Sequence, residues 1–567
     1  MCRTGRRVSG DARPAPGSLH SATAPWQASA LAVEQVERCL AEAAALGARP
    51  ALDALSARLR TAAAVVWVDS ARLLLQRAQP ALAAALLDRA VGAGLVAAHT
   101  RYWLAQALWQ AGQVERAEAL LREVLAAAVD IDAAALLAKV LRAQGRFNAA
   151  AAAMQLCVAA PGADHAQLMR TAQFMRECQH QEAALQLCNA ALSQHDDDPA
   201  LHALAGNLAQ ELGRFGEAER HYRAALAQGV DLNAWFVLHS LAALKHYRDP
   251  DDADFGLLRA YADNPALTPA ARAAVLFGLG KASDDVGDFA AAVAAWRRAN
   301  MLRRASNPWS RASWEAWIAA RLAAPPLPVT GAEDRSVCPI FVVGLPRTGT
   351  TLVAQWLARH GYIGNRGELP TLPFLAERLT TVEAAQAPSA VHEAAAIYLA
   401  HVRGDDPPVR CYVDKNPLNW RYLDAVAAMF PHAHVVVCRR HRRDTALSIW
   451  SQSFAHVDYA FAAEFADIAA FAAGCDRLLA HWQATLPLAI HAVDYEQLVG
   501  DPRRTVNTLL AQLGLDPLPA DAAAVDTAGV ITSASQWQAR QPVHTRSVDR
   551  WRHYAPYLPE LERLFTQ

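Results

Sequence analysis

Lysine is nearly absent from this chain. Of its 54 basic residues only four are lysine (Lys139, Lys245, Lys281 and Lys415), so arginine serves wherever a cation suffices and a retained lysine asks for a local reason. Net charge is missing too: 54 Lys+Arg stand against 55 Asp+Glu, a formal charge of -1. That excludes bulk electrostatic recruitment to nucleic acid or an anionic membrane and leaves anion binding to local clusters. The nine cysteines lack close pairs and histidine partners, which excludes a disulfide framework or a zinc site and predicts buried thiols in a reducing compartment. No uncharged run of about 18 residues occurs, since the alanine-rich stretch Ala81 to Ala98 is broken by Asp88 and Arg89, so no membrane span is expected. The opening MCRTGRRVSGDARPAPGSLHSA has arginines without an apolar run behind them; it reads as a flexible tail rather than a signal peptide or anchor, and the protein is expected to be soluble and cytoplasmic.

At 567 residues the chain exceeds one hydrophobic core. From about residue 60 to 310 it is Ala/Leu-rich, nearly free of β-branched runs, and self-similar at a fixed interval. Turn-like positions fall at Ala78, Gly112, Gly145, Gln179 and Gly213, separated by 34, 33, 34 and 34 residues, with a later return at Gly287. Five residues on stands a small residue (Ala83, Ala117, Ala150, Ala184, Ala218, Ala292). Nine residues on stands a larger apolar one (Leu87, Leu121, Met154, Cys188, Tyr222, Trp296). Twelve residues on stands Ala90, Val124, Cys157, Ala191, Ala225 or Ala299. Small residues that permit close crossing, alternating with large ones that fill the groove, suit antiparallel helix pairs. This rhythm resembles the tetratricopeptide repeat (TPR), which implies an all-α superhelix whose repeats are buried by stacking and whose concave surface takes a peptide or partner protein.

Between Ala323 and Pro339 the proline-rich AAPPLPVTGAEDRSVCP lacks helical periodicity. Beyond it apolar runs appear at Ile340 to Val343, Val435 to Val437 and Leu488 to Ile490, each separated by helical pattern, as buried parallel strands do. The expected organisation is a tail and lead-in helix at 1–59, helical repeats at 60–310, a linker at 311–337 and an α/β domain with a parallel sheet at 338–567.

The run Pro339 to Val343 feeds into Gly344-Leu345-Pro346-Arg347-Thr348-Gly349-Thr350-Thr351, followed by the amphipathic Leu352 to Leu357. Strand, glycine loop and helix aim backbone N–H groups and a helix N-terminus at one phosphate. Gly344 and Gly349 have the spacing of a Walker A loop, but Thr350 stands where that loop has lysine. A hydroxyl there suits a nucleotide with a single 5′-phosphate better than an ordinary NTP.

PRTGTTL resembles the 5′-phosphosulfate loop of sulfotransferases that use 3′-phosphoadenosine-5′-phosphosulfate (PAPS), particularly the protein-tyrosine type with its R-[ST]-G-T-T. The resemblance implies a P-loop-like sulfotransferase domain in which Arg347, Thr348, Gly349, Thr350 and Thr351 hold the 5′-phosphate and sulfonate. It extends to Glu368, 21 residues after Arg347 in RGELP, the spacing at which the tyrosine-protein enzymes carry a catalytic base. Lys415, in VDKNP, is the only lysine of this half; a lysine in a similar setting neutralises the bridging oxygen in the family. After Val435 to Cys438 comes RRHRRD, with Ser448 on the next helix. An arginine at a strand end and a serine eight residues later match the family's 3′-phosphate site, so Arg440 and Ser448 are the candidates, with the register between Arg439 and Arg440 left open because His441 and Arg442 replace the usual Asp-Pro. Tyr495 resembles a nucleotide contact, and Ser535 with Arg550, 15 positions later, resembles the segment that closes over PAPS.

The resemblance spans about residues 338 to 556 and implies in-line sulfuryl transfer, with Glu368 as base and Lys415 and Arg347 as the electrophilic clamp. No carboxylate cluster with ligand spacing accompanies the loop, so no metal is expected. The spacing of Glu368 and the repeats favour a protein tyrosine acceptor; carbohydrate or small-molecule hydroxyls are the alternative. A P-loop kinase or NTPase and a non-catalytic scaffold are the other readings.

Overall fold

The computed structural model describes residues 28–564 except 129, 160–163, 195–196, 331–335, 384, 406, 455 and 520–542. Two compact units divide the chain, Met1–Cys178 and Gln179–Gln567.

The first unit is helical. Helices α1 (Ala30–Leu46) and α2 (Ala48–Leu59) occupy the later half of the stretch read in sequence as tail and lead-in helix. Ser29 caps α1 by accepting from the Ala32 amide at 3.3 Å, and Val36 and Cys39 pack with Leu52 and Leu55 in one core. Three hairpins follow: α3 and α4 (Ala64–Gln76, Pro80–Gly92), α5 and α6 (Ala98–Gln110, Val114–Ala127), and α7 and α8 (Ile131–Ala143, Phe147–Ala159), then α9 (His165–Glu177).

The second unit begins with α10 (Gln181–Leu192) and the hairpin of α11 and α12 (Pro199–Glu211, Phe215–Ala227). Short helices α13 (Val237–Ala243) and α14 (Ala253–Ala262) interrupt the rhythm before α15 (Pro269–Asp285) and α16 (Phe289–Ser306) restore it.

All six turn positions read from the sequence adopt left-handed backbone: φ is 55° at Ala78, 80° at Gly112, 74° at Gly145, 64° at Gln179, 79° at Gly213 and 83° at Gly287. At five of them the next amide reaches back to the helix, as Gln79 N to Leu74 O (2.9 Å), Gln113 N to Leu108 O (2.9 Å), Arg146 N to Leu141 O (3.0 Å), Arg214 N to Ala209 O (2.8 Å) and Asp288 N to Ser283 O (2.9 Å). This six-to-one closure stops a helix and reverses the chain. The alanines five residues on are all fully buried, and the large residues nine on are buried. Two of the large residues sit on glycine: a Cβ at Gly206 would lie 2.5 Å from Tyr222, and one at Gly280 would lie 2.4 Å from Trp296.

Helix α17 (Arg311–Ala323) stands where the sequence suggested the start of a linker. Trp314 and Ile318 recur at i and i+4 and are buried, with Ser310 capping the helix through the Ser313 amide. Their partner is α23 (Phe465–Thr485): Trp314 stacks on Phe471 at 4.6 Å, donates from Nε1 to Ala470 O at 3.2 Å, and lies where a Cβ on Gly474 would meet it at 2.7 Å.

The sheet is parallel throughout, in the order β2-β3-β1-β4-β5. Its strands are β1 (Cys338–Gly344), β2 (Ile363–Asn365), β3 (Cys411–Asp414), β4 (His434–Arg439) and β5 (Ala489–Asp494). Central β1 is apolar from Ile340 to Val343 and fully buried, as a strand covered on both faces must be. Helices α18 (Thr350–Leu357), α19 (Thr371–Leu379), α20 (Ala387–Arg403), α21 (Leu423–Met429), α22 (Arg442–Trp450), α24 (Tyr495–Gly500) and α25 (Pro502–Gln512) complete the α/β layer. The described cysteines are all free thiols, buried except for the half-buried Cys338. No helix among the described residues is long and apolar enough to cross a membrane.

The glycine under Trp296 gives a direct stability test. Gly280→Ala pushes a methyl into the indole and is expected to lower stability by about 1–3 kcal/mol through overpacking. Gly216→Ala, where a Cβ meets nothing within 4 Å, is expected to be neutral or stabilising by up to about 1 kcal/mol. Urea midpoints measure both, and equal shifts would contradict the close-crossing account.

Candidate functional site

In an open parallel sheet, side chains at the carboxyl ends of neighbouring strands converge, above all where the connections diverge to either side of one strand. Here that strand is β1, flanked by β3 and β4. The register aligns the ends: Asn365 pairs with Val413, Phe341 with Asp414, Gly344 with Cys438 and Arg439 with Asp494. The candidates from the sequence lie just past these ends: the loop after β1, Glu368 after β2, Lys415 after β3, Arg440 after β4 and Tyr495 after β5.

The loop is tightly built. Gly344 has φ 150° and a Cβ there would lie 2.5 Å from Cys438 O, so the chain passes close to β4 as it turns. Arg347 takes a left-handed φ of 71°, a conformation that needs support from its surroundings. Thr348 Oγ1 donates to Leu345 O at 2.7 Å, closing the turn internally. Gly349, at φ 93°, precedes α18 without a side-chain cap, and a Cβ on it would meet Tyr495 at 2.7 Å. Glycine therefore lets the Tyr495 ring lie against the loop. Thr348 and Thr350 are buried, and Thr350 and Thr351 open the helix.

Arg347 Nε donates to Ser448 Oγ at 3.2 Å, and Arg440 Nη1 donates to Arg347 O at 3.0 Å. Arg440 also donates from Nη2 to Ser547 O at 2.6 Å and lies over the Tyr495 ring, 4.5 Å from its centroid. Its Nε is buried and meets no acceptor among the described residues. Arg439 is exposed, so Arg440 is the arginine after β4 that reaches the loop. Elsewhere in this basic run Arg442 pairs with Asp476, and Arg443 lies 4.4 Å from the centroid of the Trp551 ring.

Burial, reinforced by the neighbouring Arg440 and Arg550 charges, pushes Arg347 down to about 10. Arg440 is lowered as well, chiefly by burial, with Tyr495 and Asp444 opposing and Arg550 adding to the effect. Guanidinium groups that depress one another form a region of positive potential suited to anions.

On the other flank of β1, Lys415 Nζ meets Glu368 Oε1 at 2.5 Å. The lysine is buried, while the glutamate side chain is 36% exposed. The backbone joins the two segments, with Lys415 N donating to Gly367 O at 2.7 Å and Arg366 N to Val413 O at 2.8 Å. Arg366 pins its own segment by donating to Val402 O (2.6 Å) and Arg403 O (2.9 Å) at the end of α20.

The chain returns to this place after residue 542. Asp444, in the first turn of α22, accepts from the amides of Asp549 and Trp551, both at 2.8 Å. Arg550 donates to Asp284 Oδ2 of α15 at 2.5 Å. Ser535 lies outside the described residues. The sequence reading missed Arg366, Asp414, Asp444 and Asp284. Asp414 carries a weak signal in being the neighbour of the lone lysine; Asp284 carries none, its contact spanning 266 residues. Among the described residues no group of three or more His, Cys, Asp or Glu side chains could hold a metal ion.

Residues 339–519 match the model of the sulfotransferase family. An uncharacterized protein of Aquifex aeolicus (strain VF5) is 28% identical over 387 residues, covering 65% of this chain and 50% of the relative. The chain thus spans about half the length of that curated relative. Among solved structures, the sulfotransferase domain from the Synechococcus PCC 7002 olefin synthase is similar at 20% identity, over 38% of this chain and 87% of that chain, with a TM-score of 0.30. The sulfotransferase domain from the curacin biosynthetic pathway is similar at 18% identity, over 39% and 92%, with a TM-score of 0.27.

The carboxyl beside Lys415 makes a pH prediction. Burial pushes Asp414 up to about 7, with hydrogen bonds from Tyr398 and Asn419 and the Lys415 charge pulling the other way. An unfolded aspartate titrates near about 3.9, so between about 4 and about 7 the folded chain holds a proton that the unfolded chain has released. Stability then falls as pH rises through that window and levels above it, by an amount on the order of a few kcal/mol at about 1.4 kcal/mol per pH unit. Asp414→Asn should flatten this dependence. Thermal or urea midpoints at pH 5 and pH 8 measure it, and parallel pH slopes for the two proteins would contradict it.

Proposed function

We propose that this chain, which carries a sulfotransferase-family domain at residues 339–519, transfers a sulfuryl group from PAPS to an acceptor hydroxyl. The observation that carries the reading is the meeting of a lysine-free phosphate loop with Arg440 and Ser448 from the neighbouring strand end, through Arg347. A Walker A lysine serves β- and γ-phosphates. Here the cations instead stand beside the loop, where a second phosphate on the ribose would need them, and the buried Arg440 Nε is a donor with no acceptor among the described residues.

The residues fit the donor as follows. The loop amides, Arg347, Thr348, Gly349, Thr350 and Thr351 would hold the 5′-phosphosulfate; Arg440, Ser448 and Arg550 would hold the 3′-phosphate; Tyr495 would contact the nucleotide. Bound there as donor substrate, PAPS supplies a sulfuryl group whose bond to the 5′-phosphate oxygen breaks as a new S–O bond forms to the acceptor, leaving 3′-phosphoadenosine 5′-phosphate. Glu368 accepts the acceptor's hydroxyl proton on a carboxylate oxygen. Lys415, buried and in reach of Glu368, neutralises charge on the departing oxygen together with Arg347. The contact between Lys415 and Glu368 joins the two groups across the site before the acceptor arrives.

The acceptor in this reading is a protein tyrosine. Support comes from the placement of Glu368 and from the helical hairpins, which we take as a TPR-type array presenting a peptide-binding surface.

Calorimetry with 3′-phosphoadenosine 5′-phosphate and with ATP plus magnesium tests the donor; the bisphosphate is expected to bind at least tenfold more tightly, and tighter ATP binding would overturn the reading. Glu368→Ala is expected to lower turnover by roughly 10²–10⁴-fold while retaining the bisphosphate, and near-normal turnover would remove Glu368 from the mechanism.

A further inference from the structure

The C-terminal segment is fastened at both ends of a short 3-10 turn, Arg550–His553. One fastening is to the sheet domain, where Asp444 accepts from Asp549 N and Trp551 N and Arg440 donates to Ser547 O. The other is to the helical array. Arg550 Nη2 donates to Asp284 Oδ2 at 2.5 Å and to Tyr554 OH at 3.3 Å, and Tyr554 OH in turn donates to Asp284 Oδ1.

Asp284 stands in the last turn of α15, followed by Asp285. Carboxylates there oppose the helix dipole and need cationic partners. Asp285 has Lys281 at 2.6 Å and His246 at 3.0 Å, and it also accepts from Tyr247 N at 3.1 Å. Asp284 has Arg550. In direct contacts, Asp285 takes the array's own lysine and histidine, and Asp284 takes Arg550 from far along the chain.

The geometry at Arg550 is directional. Both of its hydrogen bonds leave from Nη2, which keeps Nε and Nη1 without acceptors among the described residues. A guanidinium has five donors in a fixed plane, so a carboxylate that engages one corner fixes where the remaining edge points. Arg550 is also close enough to Arg347 and Arg440 to disfavour their charge, which puts it on the same patch as the loop.

We propose that Asp284, on the helical array, is a positioning residue for nucleotide binding: it holds one corner of Arg550 so that the opposite edge is presented to the 3′-phosphate. The helical array is then part of the donor site. This rests on the PAPS reading above, and the test keeps the two apart. Asp284 touches no substrate; it acts through Arg550.

The test compares 3′-phosphoadenosine 5′-phosphate with 5′-AMP by calorimetry on the full chain. If the wild-type protein does not prefer the bisphosphate, the nucleotide reading itself fails and this inference with it. Given that preference, Asp284→Asn is expected to weaken the bisphosphate about tenfold, the order seen when a partner that orients a ligand-holding side chain is removed, with AMP affinity changed less than twofold. Arg550→Ala should remove the same preference, and adding Asp284→Asn to it should cost nothing further, because two residues acting through one contact are not additive. Unchanged discrimination in Asp284→Asn, equal loss of both nucleotides, or full additivity with Arg550→Ala would each overturn the proposal while leaving the PAPS reading standing. Should Asp284→Asn not fold, Tyr554→Phe removes the hydroxyl between the two groups and is expected to cost the bisphosphate alone two- to threefold; no selective change there would overturn the proposal as well.

Discussion

Three buried or half-buried guanidinium groups, those of Arg347, Arg440 and Arg550, share one patch at the carboxyl end of a parallel sheet, and much of the architecture around it follows from keeping them there. Like charges withdrawn from water repel strongly. Each is therefore tied to something: Arg347 to Ser448, Arg440 to the carbonyls of Arg347 and Ser547, and Arg550 to Asp284. Carbonyl oxygens and a hydroxyl satisfy donors of Arg347 and Arg440 without cancelling their charge, while the Asp284 carboxylate pairs with Arg550. Positive potential survives beside the glycine loop and the N-terminus of α18.

The second unit is built so that helices from the repeat region brace this patch. Trp296 of α16 packs edge-on to Trp450 at the end of α22, the helix that carries Ser448. Asn300 donates to Trp450 O at 2.9 Å, and Arg303 donates to Gln452 O and Tyr459 O. Burial pushes Arg303 down to about 10, a sign of how far it has been withdrawn from water to make those bonds. Trp314, seated over Gly474, holds α17 to α23. The hairpin, the helix after it and the α/β layer share one hydrophobic core, which is why the division of the chain falls at residue 178 rather than at the proline-rich stretch before β1.

What the sequence made legible follows from how local each signal is. The helical hairpins were readable because every repeat restates its own turn and its own small and large positions; the left-handed φ at Ala78 and Gln179, where glycine would be easier, shows the spacing outweighing residue preference. Strand β1 was readable as four consecutive buried apolar residues, and the loop after it as a spacing of glycines. The short β2 and β3 were not, because strands of three and four residues carry too little pattern to separate from their surroundings. Arg347, Arg440, Ser448 and Tyr495 follow from the resemblance to PAPS-dependent sulfotransferases, and the structure brings these four side chains into one neighbourhood. Glu368 and Lys415 meet on its other flank. Asp284 and Arg366 leave no signal in the sequence, and Asp414 leaves only its place beside Lys415: the first works across 266 residues, Arg366 works through backbone carbonyls and Asp414 through burial, which no spacing reports. The linker reading for 311–323 yielded to Trp314 and Ile318, whose helical spacing was hidden beside the prolines that follow.

If this patch serves sulfuryl transfer, the protein moves label from PAPS to an acceptor hydroxyl. The direct measurement is incubation of the purified full-length chain with PAPS bearing radiolabelled sulfate and a pool of tyrosine-containing peptides, followed by counting label on the peptides. Label on tyrosine is expected for the wild-type protein, and label reduced to near background for Glu368→Ala. A wild-type protein that binds the nucleotide yet labels no hydroxyl in peptide, carbohydrate or small-molecule pools would contradict it.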